Sequence, residues 1–164
     1  MSEKIRLTAL KNLFDIMHGN KMDLNKMVEF APGNESVAFV GRSGEANGIV
    51  AFVERVDGIP PYQAGLITVA LGGSALSSFV QPREFYTAQN IDVLSPKRRM
   101  SFDVKLYYCL CVEANRFRYS TFGREANRTL KELMVPTLES IPAWVEGTGK
   151  LAVKELNRDL SSII

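Results

Sequence analysis

One histidine, two cysteines and one tryptophan in 164 residues exclude several kinds of chemistry at once. His18 has no second histidine to share a zinc ion and no visible triad partner. Cys109 and Cys111 stand two apart in a predicted helix, where they point to different faces. That spacing argues against a disulfide or a metal pair, so both read as buried small hydrophobes. No apolar run approaches the roughly 20 residues of a membrane span. The opening MSEKIRLTALKN lacks the apolar core of a signal peptide, so a cytoplasmic protein is expected. Gly72-Gly73 lacks the Lys-Ser/Thr of a phosphate loop. Asp15, Glu54, Asp57 and Asp92 are too scattered to predict a nuclease centre.

What is present is ordinary in bulk and uneven in detail. Hydrophobic residues make up 46% and charged residues 23%, enough for one domain with a sizeable core. Net charge is only +2, but residues 97–131 hold 9 basic and 3 acidic side chains while each flank is net −2. A local basic segment in a near-neutral chain fits a phosphate-facing patch or a solvated helix face.

Turn signals break the first hundred residues into short apolar runs. FDIMHG reads as a strand. DLNKMVEF reads as a helix with Asp23 as N-cap. SVAFVG, GIVAFVERV, GLITVALG, SSFVQ and IDVLS read as strands, separated by SGEANG, DGIPPYQAG, GGSALS and QPREFYTAQN. Ser101 is a predicted N-cap for a long helix over 101–119, apolar on more than one face and therefore largely buried. NRTLKELMV is a short helical or mixed segment, and GTG precedes a final amphipathic stretch. The expected class is α+β. Its core is an irregular, mostly antiparallel, barrel-like sheet with a long buried helix and a short helical tail. Residues 1–140 form the expected domain and 141–164 the tail.

RSGEANGIV, at 42–50, is a glycine-bracketed polar loop between two strand-like runs. It carries donors and acceptors suited to reading a partner. In order along the chain, FDIMHG, DLNKM, RSGEANGI, ALGGS, FYTAQNIDVL and LKELMVP resemble the target-recognition domain of type I restriction–modification specificity subunits and their type IIB/IIG-like relatives. The resemblance runs from about Ile5 to Pro136. It implies a non-catalytic domain that binds duplex DNA sequence-specifically and needs no cofactor or metal. Separate methyltransferase and nuclease subunits would carry the chemistry. A full specificity subunit has two such domains and long spacer helices. This chain has room for one domain, so the resemblance leaves open a half-subunit pairing with a second copy, a stand-alone relative or a truncated form. The tail would be a remnant of the spacer.

Arg matches guanine O6 and N7, Asn and Gln match adenine, and Glu accepts from cytosine N4. On that basis Arg42, Ser43, Glu45 and Asn47 in the first loop are expected to reach DNA, with Gln81, Arg83, Tyr86, Gln89 and Asn90 in the later ones. Lys97, Arg98 and Arg99 read as phosphate anchors or as a solvated turn. Arg116, Arg118 and Arg124 flank the end of the predicted helix, where they also complement its dipole; Arg124 is counted among the DNA contacts. Tyr119 and Phe122 read as packing residues. IPPY, around Tyr62, resembles an amino-methyltransferase motif, but Ile59 stands where that motif needs a hydrogen-bonding residue, so Pro60-Pro61 reads as a rigid turn. The alternative function is a protein-interaction or regulatory module of a defence system on the same fold.

Overall fold

The computed structural model describes residues 4–118 and 129–163. Among the described residues nine strands form three sheets. β1 (Leu7–Ala9) pairs antiparallel with β9 (Met134–Pro136). A four-stranded sheet has the order β2 (Phe14–Met17), β8 (Ile91–Pro96), β5 (Ile67–Ala70), β6 (Ser78–Val80), all antiparallel. A three-stranded sheet has the order β4 (Ile49–Val53), β3 (Val37–Val40), β7 (Phe85–Thr87), with β3 and β7 parallel. The architecture is α+β and mostly antiparallel, and the sheets do not close into a barrel.

Strand pleating explains how the sheets stack. Successive side chains point to opposite faces. On β8, Leu94 enters the principal core with Phe14, Ile67 and Val69, while Val93 joins Ala38, Val40 and Phe85 between the two larger sheets. On β3, Val37 and Phe39 turn the other way, to Val53 and Tyr86, and are covered by Met22, Leu24 and Met27. β3 and β5 are buried on both faces, which is why VAFV and ITVA are continuous apolar runs with no polar alternation.

Helix α1 (Phe102–Glu113) closes the principal core with Val104, Tyr108, Cys109 and Val112. Ser101 caps it, accepting from Val104 N at 3.2 Å. The helix is shorter than expected: it ends at Glu113 and gives way to a 3-10 turn, Arg116–Arg118. It is also less buried than expected. Phe102, Leu106 and Leu110, spaced four apart, leave an apolar stripe exposed. Cys109 is buried, and its thiol is pushed up to about 12 by desolvation and by the Glu113 charge. Cys111 is only half-buried.

The expected helix at DLNKMVEF is a single 3-10 turn, Leu24–Lys26. Asp23 does cap it, accepting from Asn25 N at 3.0 Å. Beyond it the backbone pairs with β4, through Phe30 N to Phe52 O and Glu54 N to Val28 O. Cross-strand hydrogen bonds here outweigh helical spacing. FYT, part of a break by its turn signals but of an aromatic–Thr strand by the resemblance, is strand β7. Past the 140 boundary Val145 still belongs to the principal core. The tail helix α2 (Thr148–Ile163) buries none of its side chains. Among the described residues no helix is long and apolar enough to cross a membrane.

Candidate nucleic-acid interface

Four loops meet where strands end. β2 runs antiparallel to β8 and β8 antiparallel to β5, so the C-terminal ends of β2 and β5 lie beside the start of β8. β3 and β7 are parallel, and Ala88 N donates to Val40 O at 2.9 Å, so their C-terminal ends join the same edge. The loops over 18–23, 41–48, 71–77 and 88–90 therefore cluster.

Hydrogen bonds tie these loops together. Asn20 N donates to Thr87 Oγ1 at 2.8 Å, and Thr87 N donates back to Asn20 Oδ1 at 3.1 Å. Met22 N reaches Thr87 O at 2.9 Å, Leu71 N reaches Asn90 O at 2.9 Å, and Ser74 N reaches Arg42 O at 3.2 Å. Arg116, just past α1, donates to Ala75 O at 3.1 Å and to Ser77 Oγ at 3.0 Å. Glu113 accepts from Ser78 N at 3.0 Å. The helix end thus braces the β5–β6 loop.

Backbone strain concentrates here. Among the described residues, the non-glycine positions with positive φ are Lys21 (56°), Ala46 (50°), Asn47 (56°), Leu76 (62°) and Asn90 (58°). All five lie in these four loops. Asn tolerates this region, but Ala, Leu and Lys do so at a cost of order 1–3 kcal/mol each, and such positions collect at binding sites.

The sequence-predicted residues divide into three groups. Arg42, Ser43, Glu45, Asn47, Gln89 and Asn90 do lie in the loop cluster, and Arg42, Glu45, Asn47 and Gln89 are exposed. Gln81 and Tyr86 are corrections, because both are fully buried. The Gln81 amide donates to Asn47 O and to Thr68 Oγ1, each at 2.8 Å, leaving its Oε1 buried without a partner. It anchors the 41–48 loop from beneath. The Tyr86 hydroxyl donates to Ile59 O at 2.7 Å and accepts from Val56 N at 2.9 Å, pinning the turn before Pro60.

Arg83 and the basic triplet lie at the opposite edge. Arg83 precedes β7, donates to Gly33 O and, at 2.7 Å, to Ser36 O, and lies over the Phe52 ring. Lys97, Arg98 and Arg99 follow β8, whose six residues put them about 20 Å from the loops. Arg98 pairs with Glu139 at 3.3 Å, and Lys97 N binds Leu13 O. Arg124, with Tyr119 and Phe122, lies outside the described residues.

The residues overlooked in sequence are His18, Asn20 and Lys21. HGNK follows an apolar strand just as RSGEANG does, and that shared pattern was the available signal. His18 also has the partner the sequence hid: its Nδ1 is 2.9 Å from Asp92 Oδ1. Burial pushes the Asp92 carboxyl above its ordinary range, partly offset by the hydrogen bond to His18 and by the nearby Lys21 charge. An acid whose folded pKa is raised adds stability that is present at low pH and lost as pH rises through that pKa. Asp92→Asn is therefore expected to melt higher than the parent at neutral pH, with the gap closing in acid; thermal melts across pH read this directly.

Among the described residues no three His, Cys, Asp or Glu side chains gather to hold a metal. No protein-family model and no curated protein matches the chain. Solved structures do. The type I restriction–modification S subunit from M. genitalium superposes with a TM-score of 0.62 at 13% identity, over 98% of this chain and 41% of that one. A structure from work on complex assembly and conformational transition of the type I R-M system gives 0.65 at 13% identity, over 99% and 40%. The HsdS subunit from Thermoanaerobacter tengcongensis gives 0.59 at 14% identity, over 99% and 39%. The fold is theirs, and the chain spans about two fifths of their length.

Proposed function

We propose that this chain is a DNA target-recognition unit of a restriction–modification system, with the four-loop edge as its reading surface. The observation that carries this is the gathering of every described non-glycine positive-φ residue into those loops, mutually hydrogen-bonded and braced by Arg116. Strained, preorganised loops on a rigid sheet present fixed side chains to a partner. Arg42 and Asn47 carry the forks that match guanine and adenine edges, and Glu45 can accept from cytosine. The likeness in fold to type I S subunits supports the same reading.

In this reading the chain is not itself an enzyme. Methyltransferase and nuclease subunits hold S-adenosylmethionine and magnesium, and a second copy of the chain supplies the other half of a bipartite target. Both proposed locations, in the cytoplasm and against duplex DNA, follow from that role. The test is selection of bound sequences from a random duplex library, with the chain alone and with its methyltransferase. Enrichment of a short motif supports the proposal, and a split symmetric motif adds the second copy. No enrichment in either condition overturns it in favour of a protein-interaction module.

A further inference from the structure

The DNA reading leaves one built feature unused. Asp92 is 2% exposed on β8, between β2 and β5, yet its hydrogen-bond partner His18 has a side chain that is 68% exposed. A buried carboxylate serves the fold poorly in this position, because desolvation costs are repaid only by well-enclosed partners. Asp92 is placed instead to orient His18, 2.9 Å from its Nδ1. A carboxylate accepts and cannot donate, so in the neutral imidazole the hydrogen sits on Nδ1 and Nε2 is left as an acceptor. The pair opens into a depression of about 290 Å³ at the four-loop edge, lined also by Lys21, Leu71, Asn90 and Ile91. The charged groups facing His18 there are Asp92 from β8 and Lys21 from its own loop.

We propose that His18 is a base-reading residue, held by Asp92 so that Nε2 accepts a hydrogen bond from the exocyclic amino group of an adenine or cytosine in the major groove. This rests on the DNA reading above and deepens it. Acceptors of fixed direction are what distinguish amino-bearing base edges from the keto edges of guanine and thymine. Lys21, on the same loop, is placed to meet the adjoining phosphate.

The experiment repeats the duplex selection with His18→Phe, which keeps the ring and removes the acceptor, and with Asp92→Asn, which releases the tautomer. The expected result is loss of about 5-fold or more in preference at one adenine or cytosine position, with the rest of the motif intact. Asp92→Asn should show a smaller loss at the same position, and it carries the test if His18→Phe misfolds. Nitrogen-15 shifts of His18 in the parent should report the Nδ1–H tautomer. An unchanged motif in both variants overturns the assignment. So does a uniform loss over all sequences with a shallower salt dependence, which marks a phosphate contact. A parent that enriches no motif removes the DNA reading itself, so the two failures are seen in different proteins.

Discussion

Gly19→Ala is expected to destabilise the protein by about 3 kcal/mol or more, the largest effect of a single methyl anywhere in the loops. Gly19 has φ +61°, and a Cβ there would sit 2.3 Å from Thr87 Oγ1 and 2.7 Å from the Ile91 carbonyl oxygen. The hydroxyl can rotate away only by giving up its bond from Asn20 N, and the carbonyl belongs to the first residue of β8. Backbone strain and steric displacement therefore add. In a domain of this size that corresponds to a fall in melting temperature of roughly 6–12 °C. Gly58→Ala is the control. Its φ is +77°, but a Cβ there meets nothing within 4 Å, so only the conformational cost of about 1–2 kcal/mol remains. Equal melting temperatures for the two variants would show that the loop at 18–23 is not locked against β7 and β8.

The second large effect is on binding. Arg42→Ala and Asn47→Ala together are expected to cost about 2–6 kcal/mol against the preferred duplex, as each removes a fork worth ~1–3 kcal/mol of discrimination. Changing Lys97, Arg98 and Arg99 together to Ala is expected to cost far less. Those residues stand about 20 Å away along β8, and Arg98 is already engaged by Glu139. In the sequence the triplet reads either as phosphate anchors or as a solvated turn, and its placement at the far edge from the loops favours the second. Binding titrations over a salt series separate the two outcomes. If the triple variant loses the steeper salt slope while the loop variants keep full specificity, the reading surface has been put on the wrong edge.

Most strands were legible because their cause is local. SVAFVG, GLITVALG and IDVLS are apolar, bounded by turn residues, and too short for helices. The Ser101 and Asp23 caps were legible for the same reason. What failed was anything decided at a distance. Residues 28–30 are pulled into pairing with β4, a partner more than twenty residues on. FYT has turn-like neighbours and becomes a strand only because β3 lies beside it. The site was half legible. A polar residue in a turn announces that it can bond, but not to what. Gln81 and Tyr86 spend their polar atoms inside the molecule, whereas His18 looked alone until the sheet placed Asp92 next to it. Periodicity also could not say which side of α1 faces the core, since the helix is apolar nearly all round.

The small sheet made by the first and last strands has a consequence for transplantation. Leu7 and Pro136 are directly opposed across the β1–β9 ladder, so the entry and exit of the body lie one strand spacing apart, about 5 Å. The segment from Thr137 to Val145 then folds back onto the same core, so it belongs with the body in any graft. Folded units with adjoining ends tolerate grafting and circular permutation. Exchange at this edge therefore keeps the two strands together and carries the segment through Val145 with them.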